Sequence, residues 1–127
     1  ISGEVEEILV THSHQDHIGA LKELENKYQI KHNTFKKETF KYEVIKTPGH
    51  TNDSLSFYFP EEKVMFTGDF LFANSIGRMD MPTGSRGDME SSLLKISKYP
   101  LDTVICPGHY YTSTLGDALD IVKNFFV

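Results

Sequence analysis

Short apolar segments of this chain repeatedly end on histidine or aspartate. Four segments that read as β-strands are followed within a few residues by side chains that bind metals. They are residues 7–11, followed by His12–His17; 40–45, followed by His50; 63–67, followed by Asp69; and 103–106, followed by His109. In α/β domains with open sheets, ligands gather at the carboxyl ends of the strands. The pattern therefore predicts one site, built from several loops, at one edge of a sheet.

The remaining periodicity predicts three helices and a hairpin. The predicted helices cover residues 18–28, 88–99 and 116–126. Asp88 is a typical N-cap for the second helix. The apolar stripe of that helix comprises Met89, Leu93, Leu94 and Ile96. Alternating segments at 54–59 and 63–67 predict a β-hairpin, whereas 29–39 and 68–86 contain no clear pattern.

The composition describes a small acidic domain. The chain has 127 residues, which suits one domain, and 39% hydrophobic residues supply a core. The net charge of -5 argues against nucleic acid and anionic membranes as partners, and no stretch approaches the roughly 18 apolar residues of a membrane span. Cys106 is the single cysteine, so an internal disulfide framework is excluded. This favours a reducing compartment, and we expect a cytoplasmic protein in which Cys106 is a buried structural thiol.

Seven side chains are candidate metal ligands. They are His12, His14, Asp16, His17, His50, Asp69 and His109. Seven are too many for one tetrahedral ion and suit two, and imidazole with carboxylate suits Zn²⁺, with Fe and Mn as alternatives. Two ions roughly 3.5–4 Å apart can share a carboxylate and a hydroxide, which would attack a carbonyl or phosphoryl group. The sixth histidine, His32, lies in a polar stretch and is expected to be solvated.

These motifs resemble the metallo-β-lactamase superfamily over nearly the whole chain. Residues 11–17 match its T-H-x-H-x-D-H pattern, 48–51 match P-G-H-T, and 68–69 match G-D. The resemblance implies a first ion on His12, His14 and His50. It implies a second ion on Asp16, His17 and His109, with Asp69 as the bridge between the two.

Residues 68–80 are similar to the short glyoxalase II branch, the hydroxyacylglutathione hydrolases. That resemblance implies a small-molecule substrate, a thioester such as S-2-hydroxyacylglutathione, attacked by a metal-bridging hydroxide with Asp16 and Asp69 as the catalytic carboxylates. Candidate substrate-binding residues are Arg78, Tyr110 and Tyr111. For Arg78 the alternative is a bidentate contact to Asp80 that holds the loop together, and for the two tyrosines it is packing.

The resemblance implies an α/β fold, the metallo-β-lactamase-type αβ/βα sandwich. Only six residues precede Glu7, where the family has several strands, and only 32 separate His17 from His50. We therefore expect residues 1–127 to form one such domain that lacks much of its N-terminal half and is incomplete between 29 and 39. Either the real protein has regions that this sequence omits, which is the alternative we favour, or the chain is a fragment whose uncovered sheet face needs a partner, because an uncovered apolar face favours aggregation.

Three alternatives to the thioesterase stay open at this point. Persulfide dioxygenases are similar to this sequence too, and the resemblance implies a single iron held by His12, His50 and Asp69. A lactonase or another hydrolase of the same fold is a weaker possibility. The third alternative is a catalytically inactive fragment that binds metal for structural purposes only. Metal content would separate the thioesterase from the persulfide dioxygenase, because two zinc ions and one iron lead to different reactions.

Overall fold

The computed structural model describes residues 5–13 and 19–126. Within them lie three α-helices, five strands and a 3-10 helix. The helices are Leu21–Tyr28 (α1), Arg86–Ile96 (α2) and Leu115–Val122 (α3), and the 3-10 helix is Lys123–Phe126. The strands are Glu43–Lys46 (β1), Leu55–Phe59 (β2), Val64–Gly68 (β3), Val104–Pro107 (β4) and Ser113–Thr114 (β5). None of the helices in the described ranges has the length and apolar character that a membrane span requires.

The five strands form one mixed sheet in the order β1-β2-β3-β4-β5. The predicted hairpin is confirmed, because β2 and β3 pair antiparallel, with Phe57 opposite Phe66. Strand β4 pairs parallel to β3, after a connection that contains α2, and β5 returns antiparallel to β4. Because β3 and β4 run the same way, Asp69 and His109 emerge at the same edge of the sheet.

One face of the sheet carries the hydrophobic core. Ile45, Tyr58, Met65 and Ile105 share this face and pack against α2 and α3. The helices contribute Met89, Leu93, Ile96, Leu115, Ala118 and Val122. Each large apolar side chain that is fully buried contributes about 1.5–3 kcal/mol relative to an exposed one. The site-bearing edge is therefore anchored on a packed sheet and two helices.

The opposite face of the sheet is less well covered. Phe57 is buried there beneath Phe35 and Tyr42, whose ring centroids both lie 6.2 Å away. Farther along the same face, Phe66 is 43% exposed and Val104 is 38% exposed. This asymmetry agrees with the expectation that one layer of the sandwich is partial.

The segment 7–11 is not the predicted strand. Ile8 forms a single β-bridge with His32. The side-chain amide of Asn33 hydrogen-bonds to the backbone N–H and C=O of Val10. The Asn33 amide oxygen accepts from Val10 N at 2.9 Å, and the Asn33 amide nitrogen donates to Val10 O at 3.1 Å. A loop side chain thus satisfies the hydrogen bonds that a neighbouring strand would otherwise provide.

Helix boundaries differ from the sequence predictions for identifiable reasons. The N-cap of α2 is Ser85 rather than Asp88, because the Ser85 hydroxyl accepts from Asp88 N at 3.1 Å. Leu94, predicted on the apolar stripe, is 70% exposed, and the buried position belongs to Ser92, which donates to Pro48 O at 2.7 Å. Helix α3 begins at Leu115 because Thr114 caps it, accepting from Asp117 N at 3.2 Å.

Smaller corrections concern single residues. Strand β1 begins at Glu43 rather than at 40, so Phe40 is exposed. Cys106 is half-buried rather than fully buried, and burial raises the pKa of its thiol. His32 is exposed, as predicted, with its Nδ1 3.0 Å from a carboxylate oxygen of Glu25. The start of the first predicted helix at 18 lies outside the described residues, and α1 begins at Leu21.

Candidate metal centre

Three buried side chains converge at the edge of the sheet. His12, His50 and Asp69 are each at most 7% exposed. One potential ligand atom from each lies within 4.8 Å of the others. The Nε2 atoms of His12 and His50 both lie 3.6 Å from the same oxygen, Oδ2 of Asp69. Such a group of two imidazoles and a carboxylate, withdrawn from solvent, is a typical donor set for a divalent transition metal.

Contacts of the preceding residue, Thr11, fix the position of His12. Leu55 N, at the start of β2, donates to Thr11 O at 2.7 Å and fixes the backbone just before His12. The Thr11 hydroxyl lies 3.0 Å from Nδ1 of His12. Because Nδ1 is engaged with Thr11, the ring presents Nε2 to Asp69.

The His50 ring is oriented by a backbone carbonyl. Its Nδ1 lies 2.8 Å from the carbonyl oxygen of Arg78. A carbonyl can only accept, so Nδ1 carries the proton and donates, which leaves the lone pair on Nε2, the atom that faces Asp69. Metal-binding histidines are commonly oriented by such a bond, which fixes the tautomer that a ligand needs.

Two glycines allow Asp69 to sit where it does. Gly68 ends β3 with φ of +56°, and a Cβ there would lie 2.6 Å from the hydroxyl of Thr11. A Cβ on Gly77 would collide with the backbone carbonyl of Asp69 and approach the Cβ of His50 to 3.1 Å. A side chain larger than hydrogen at either position would therefore force its neighbours to shift.

His109 approaches the same carboxylate from a more exposed position. Its Nε2 lies 3.3 Å from Oδ2 of Asp69, and its side chain is 46% exposed. Gly108 N donates to Gly68 O at 2.7 Å, which ties the loop after β4 to the end of β3. Three imidazole nitrogens therefore surround one carboxylate oxygen.

The distances between the imidazole nitrogens and the Asp69 oxygen suit side chains that bind the same metal ion. With Zn–N and Zn–O bonds of roughly 2.0–2.2 Å, two ligands of one tetrahedral ion lie about 3.4 Å apart. The three Nε2–Oδ2 distances of 3.3–3.6 Å match that spacing, so the residues fit a metal. His14, Asp16 and His17 lie outside the described residues, and their roles remain predictions.

A cavity of about 680 Å³ opens beside the cluster, a size within the usual range of small-molecule sites. Its walls comprise His50, Asp69, Phe72, Asn74, Ser75, Ile76, Gly77, Arg78, Met81, His109, Tyr110 and Tyr111. The three candidate substrate-binding residues, Arg78, Tyr110 and Tyr111, are all among them. Tyr110 is 80% exposed and has a left-handed backbone, with φ of +69°.

Arg78 makes the bidentate contact to Asp80, which is the predicted alternative to substrate binding. Its Nε and Nη2 donate to the two carboxylate oxygens of Asp80 at 2.7 and 2.9 Å. Hydrogen bonds from Arg78 lower the pKa of Asp80 to about 2, and Asp80 in turn raises the pKa of Arg78. The guanidinium is thus held at the cavity wall by an exposed bidentate pair.

Several contributors to the site were missed by sequence reasoning. Phe72 packs edge-on against Tyr110 at 5.5 Å between ring centroids and lies 6.1 Å from the ring of His109. Asn74, Ser75 and Met81 also line the cavity. Their position in the loop directly after Asp69 was the available signal, because that loop must run along the edge where the ligands gather.

Known proteins resemble this chain in sequence and in fold. A family model of the metallo-β-lactamase superfamily matches residues 3–40 and 31–109. A hydroxyacylglutathione hydrolase from Nitrobacter hamburgensis is 36% identical over 93% of this chain and 54% of its own length. The chain thus spans about half the length of that curated relative.

Solved structures share the fold. The B3 metallo-β-lactamase BLEG-1 is 30% identical with a TM-score of 0.82, over 90% of this chain and 74% of that one. The protein TTHA1623 in a di-iron-bound form is 26% identical with a TM-score of 0.78, over 87% of this chain and 73% of that one. On its family match, its relatives and its fold, the chain belongs to the metallo-β-lactamase superfamily.

Proposed function

We propose that this chain carries the metal centre of a hydrolase that cleaves thioesters such as S-2-hydroxyacylglutathione. The observation that carries the proposal is the convergence of three imidazole nitrogens on Oδ2 of Asp69 at the wall of an open cavity. The name of the Nitrobacter hamburgensis relative supports the substrate class. The single thiol and the absence of an internal disulfide favour a reducing compartment, and we propose the cytoplasm.

The proposed ligand set comprises His12, His14, Asp16, His17, His50, Asp69 and His109. Two divalent ions, zinc in this proposal, would supply Lewis-acid polarisation of the thioester carbonyl and a lowered pKa for a bound water. Hydrolysis adds that water across the C–S bond and yields a carboxylic acid and a thiol. Asp69 holds the centre together because its carboxylate is shared by ligands from three loops.

The cavity wall supplies groups suited to a glutathione conjugate. Arg78 presents its guanidinium to a substrate carboxylate, with Asp80 holding its orientation. Tyr110 and Tyr111 supply exposed rings and hydroxyl groups at the mouth of the cavity. Phe72 gives the wall an apolar surface beside His109.

Metal content and thioester hydrolysis together test the proposal. The purified chain should bind about two metal equivalents and hydrolyse S-lactoylglutathione. Asp69→Ala should lose both properties. Asp102→Ala removes an exposed carboxylate that pairs with Lys63 at 3.0 Å, at the far end of β4 from His109, and should retain both. A metal-free preparation with full thioesterase activity would contradict the proposal.

One observation favours a second candidate, a mononuclear-iron persulfide dioxygenase. Among the described residues, His12, His50 and Asp69 form a buried group, and these are the residues that the sequence resemblance implies for a single iron. One iron per chain, with oxygen consumed in the presence of glutathione persulfide, would decide for this activity. Tight metal binding without turnover of a thioester, persulfide, lactone or β-lactam would instead indicate a metal-binding module.

A further inference from the structure

Asp53 joins the two loops that carry the buried histidines. Its Oδ2 accepts from the hydroxyl of Ser13 at 2.7 Å, and its Oδ1 accepts from the hydroxyl of Thr51 at 2.6 Å. Ser13 directly follows His12, and Thr51 directly follows His50. One carboxylate therefore hydrogen-bonds to the residue after each of the two imidazoles. Its bond to Ser13 spans 40 positions of sequence.

A hydroxyl relay extends this contact into the protein. Thr51 has one hydroxyl proton, which it donates to Asp53, so the Ser54 hydroxyl at 2.6 Å must donate to Thr51. Thr51 and Ser54 are both buried. Thr47 N also donates to Ser54 O at 3.0 Å, which fixes Ser54 to the end of β1. The carboxylate is thus the outer end of a chain of bonds that is anchored in the sheet.

The electrostatics show that the bonds favour the charged form of Asp53. Burial raises the pKa of this carboxyl. Hydrogen bonds from Thr51, Ser13 and its own backbone amide, together with the electrostatic interaction with His12, lower it by more in sum, so the net pKa lies below its ordinary value. Hydrogen bonds from hydroxyls to a carboxylate are stronger than those between neutral groups. Asp53 is exposed and is not among the residues that line the described cavity, so its contacts are with the loops rather than with a substrate.

The two imidazoles that these loops carry are close to each other. The ring centroids of His12 and His50 are 5.1 Å apart, with an interplanar angle of 80°. Both Nε2 atoms reach the same Asp69 oxygen at 3.6 Å. A small movement of either loop would change this spacing, which already suits two ligands of one ion.

We propose that Asp53 is a positioning residue, which sets the separation of His12 and His50 and thereby the affinity of the metal centre. The inference rests on the metal centre of the proposed function. It does not depend on the substrate, because its test is metal binding. Partners that orient metal ligands typically change metal affinity 10- to 100-fold when they are removed.

Zinc affinity of the 127-residue chain, measured by competition with a chromophoric chelator, tests the proposal. Asp53→Ala should weaken zinc binding about tenfold or more. Asp53→Asn should restore affinity to within about threefold of the unmodified chain, because the amide oxygen still accepts from one hydroxyl while the amide nitrogen donates to the other. Asp102→Ala, an exposed carboxylate remote from the site, is the matched control and should bind zinc normally.

The asparagine variant separates position from charge. If Asp53 acted only by attracting the cation, Asp53→Asn would lose as much affinity as Asp53→Ala, and that result would overturn the proposal. Equal zinc affinity in Asp53→Ala and the unmodified chain would overturn it as well. If the unmodified chain bound no metal, the proposed function would fail together with this inference. If it bound zinc and Asp53→Ala bound zinc equally well, this inference alone would fail, so the two failures are distinguishable.

The thermal unfolding midpoint of the metal-free chain shows whether Asp53→Ala destabilises the whole fold rather than the metal centre. The midpoint for Asp53→Ala should stay close to that of Asp102→Ala. A fall in midpoint that accounts for the lost affinity would overturn the proposal. If Asp53→Ala does not fold, Ser13→Ala provides the test, since it removes one hydroxyl donor to the carboxylate and leaves the Thr51 contact in place. Ser13→Ala should weaken zinc binding about threefold, and unchanged affinity would count against the inference.

Discussion

The two sides of the metal centre are built differently. On one side, His12 and His50 are buried, and each has its Nδ1 engaged by a neighbouring oxygen. On the other side, His109 is nearly half exposed and is followed by Tyr110 in a left-handed conformation. All three nevertheless bring Nε2 to within 3.6 Å of the same Asp69 oxygen.

This difference shows that identical ligand types can differ in pre-organisation. The orientation of the His50 ring is fixed before a metal binds, because a backbone carbonyl holds its other nitrogen. The solvent-facing ring of His109 packs on Phe72 and Tyr110 at centroid distances of 6.1 Å. We therefore expect the buried side to supply most of the affinity and the exposed side to tolerate change better.

The largest expected effect is the loss of a buried ligand. His50→Ala removes an Nε2 donor and leaves a cavity against Asp69, so zinc affinity should fall about 100-fold or more, beyond what loss of an orienting partner costs. Zinc titration by chelator competition measures this. His32→Ala is the matched control, because that histidine is exposed and contacts Glu25 away from the site. Similar affinities for the two variants would contradict the comparison.

Gly77→Ala should disturb the buried side without removing a ligand. A methyl group there collides with the backbone of Asp69 and crowds His50. Overpacking of this kind costs about 1–3 kcal/mol in the free energy of unfolding, which urea denaturation measures. Gly87→Ala is the control, because among the described residues its Cβ would approach the Ser85 hydroxyl no closer than 3.9 Å and alanine favours the helix. A Gly77→Ala chain as stable as Gly87→Ala would show that the loop yields easily.

His109→Ala should have a smaller effect than His50→Ala. The exposed ring can be replaced by water at the metal, so we expect zinc affinity to fall only about tenfold, at the lower end of the range for orienting partners. The same competition titration applies. If His109→Ala lost more affinity than His50→Ala, burial would be a poor guide to ligand strength in this centre, and the comparison would be reversed.

Much of this architecture could be predicted from the sequence, because local signals agree with tertiary structure. The hairpin of β2 and β3 follows from alternation and a short turn. The gathering of His50, Asp69 and His109 follows from their positions after strands, since β3 and β4 are parallel. The αβ/βα sandwich followed from motifs that a superfamily model also matches.

The rest depends on contacts that a linear pattern does not contain. Segment 7–11 has the composition of a strand, but in it the backbone groups of Val10 hydrogen-bond to the side chain of Asn33. Ser85 and Asp88 are both good N-caps, and only the loop path selects Ser85. Strand β5 has two residues, too few for an alternation. The different burial of His50 and His109 likewise arises from tertiary packing, since both follow a Pro-Gly pair.

The smallest expected effect concerns the arginine whose carbonyl orients His50. Asp80 has a folded pKa of about 2, below the ordinary 3.8, because of Arg78. The ion pair is therefore fully formed above about pH 4, and its contribution to stability is lost as the pH falls through 2. Arg78→Ala should return the Asp80 pKa towards 3.8, as read from a carbon-13 NMR titration of its carboxyl group.

The same variant sharpens the comparison between the two sides of the centre. His50 bonds to the backbone of Arg78, not to its side chain, so Arg78→Ala should leave zinc affinity within about twofold of the unmodified chain, less than one ordinary hydrogen bond. A larger loss would mean that the exposed ion pair helps to hold the carbonyl in place. The pre-organisation of the buried side would then extend through Arg78 to the surface of the protein.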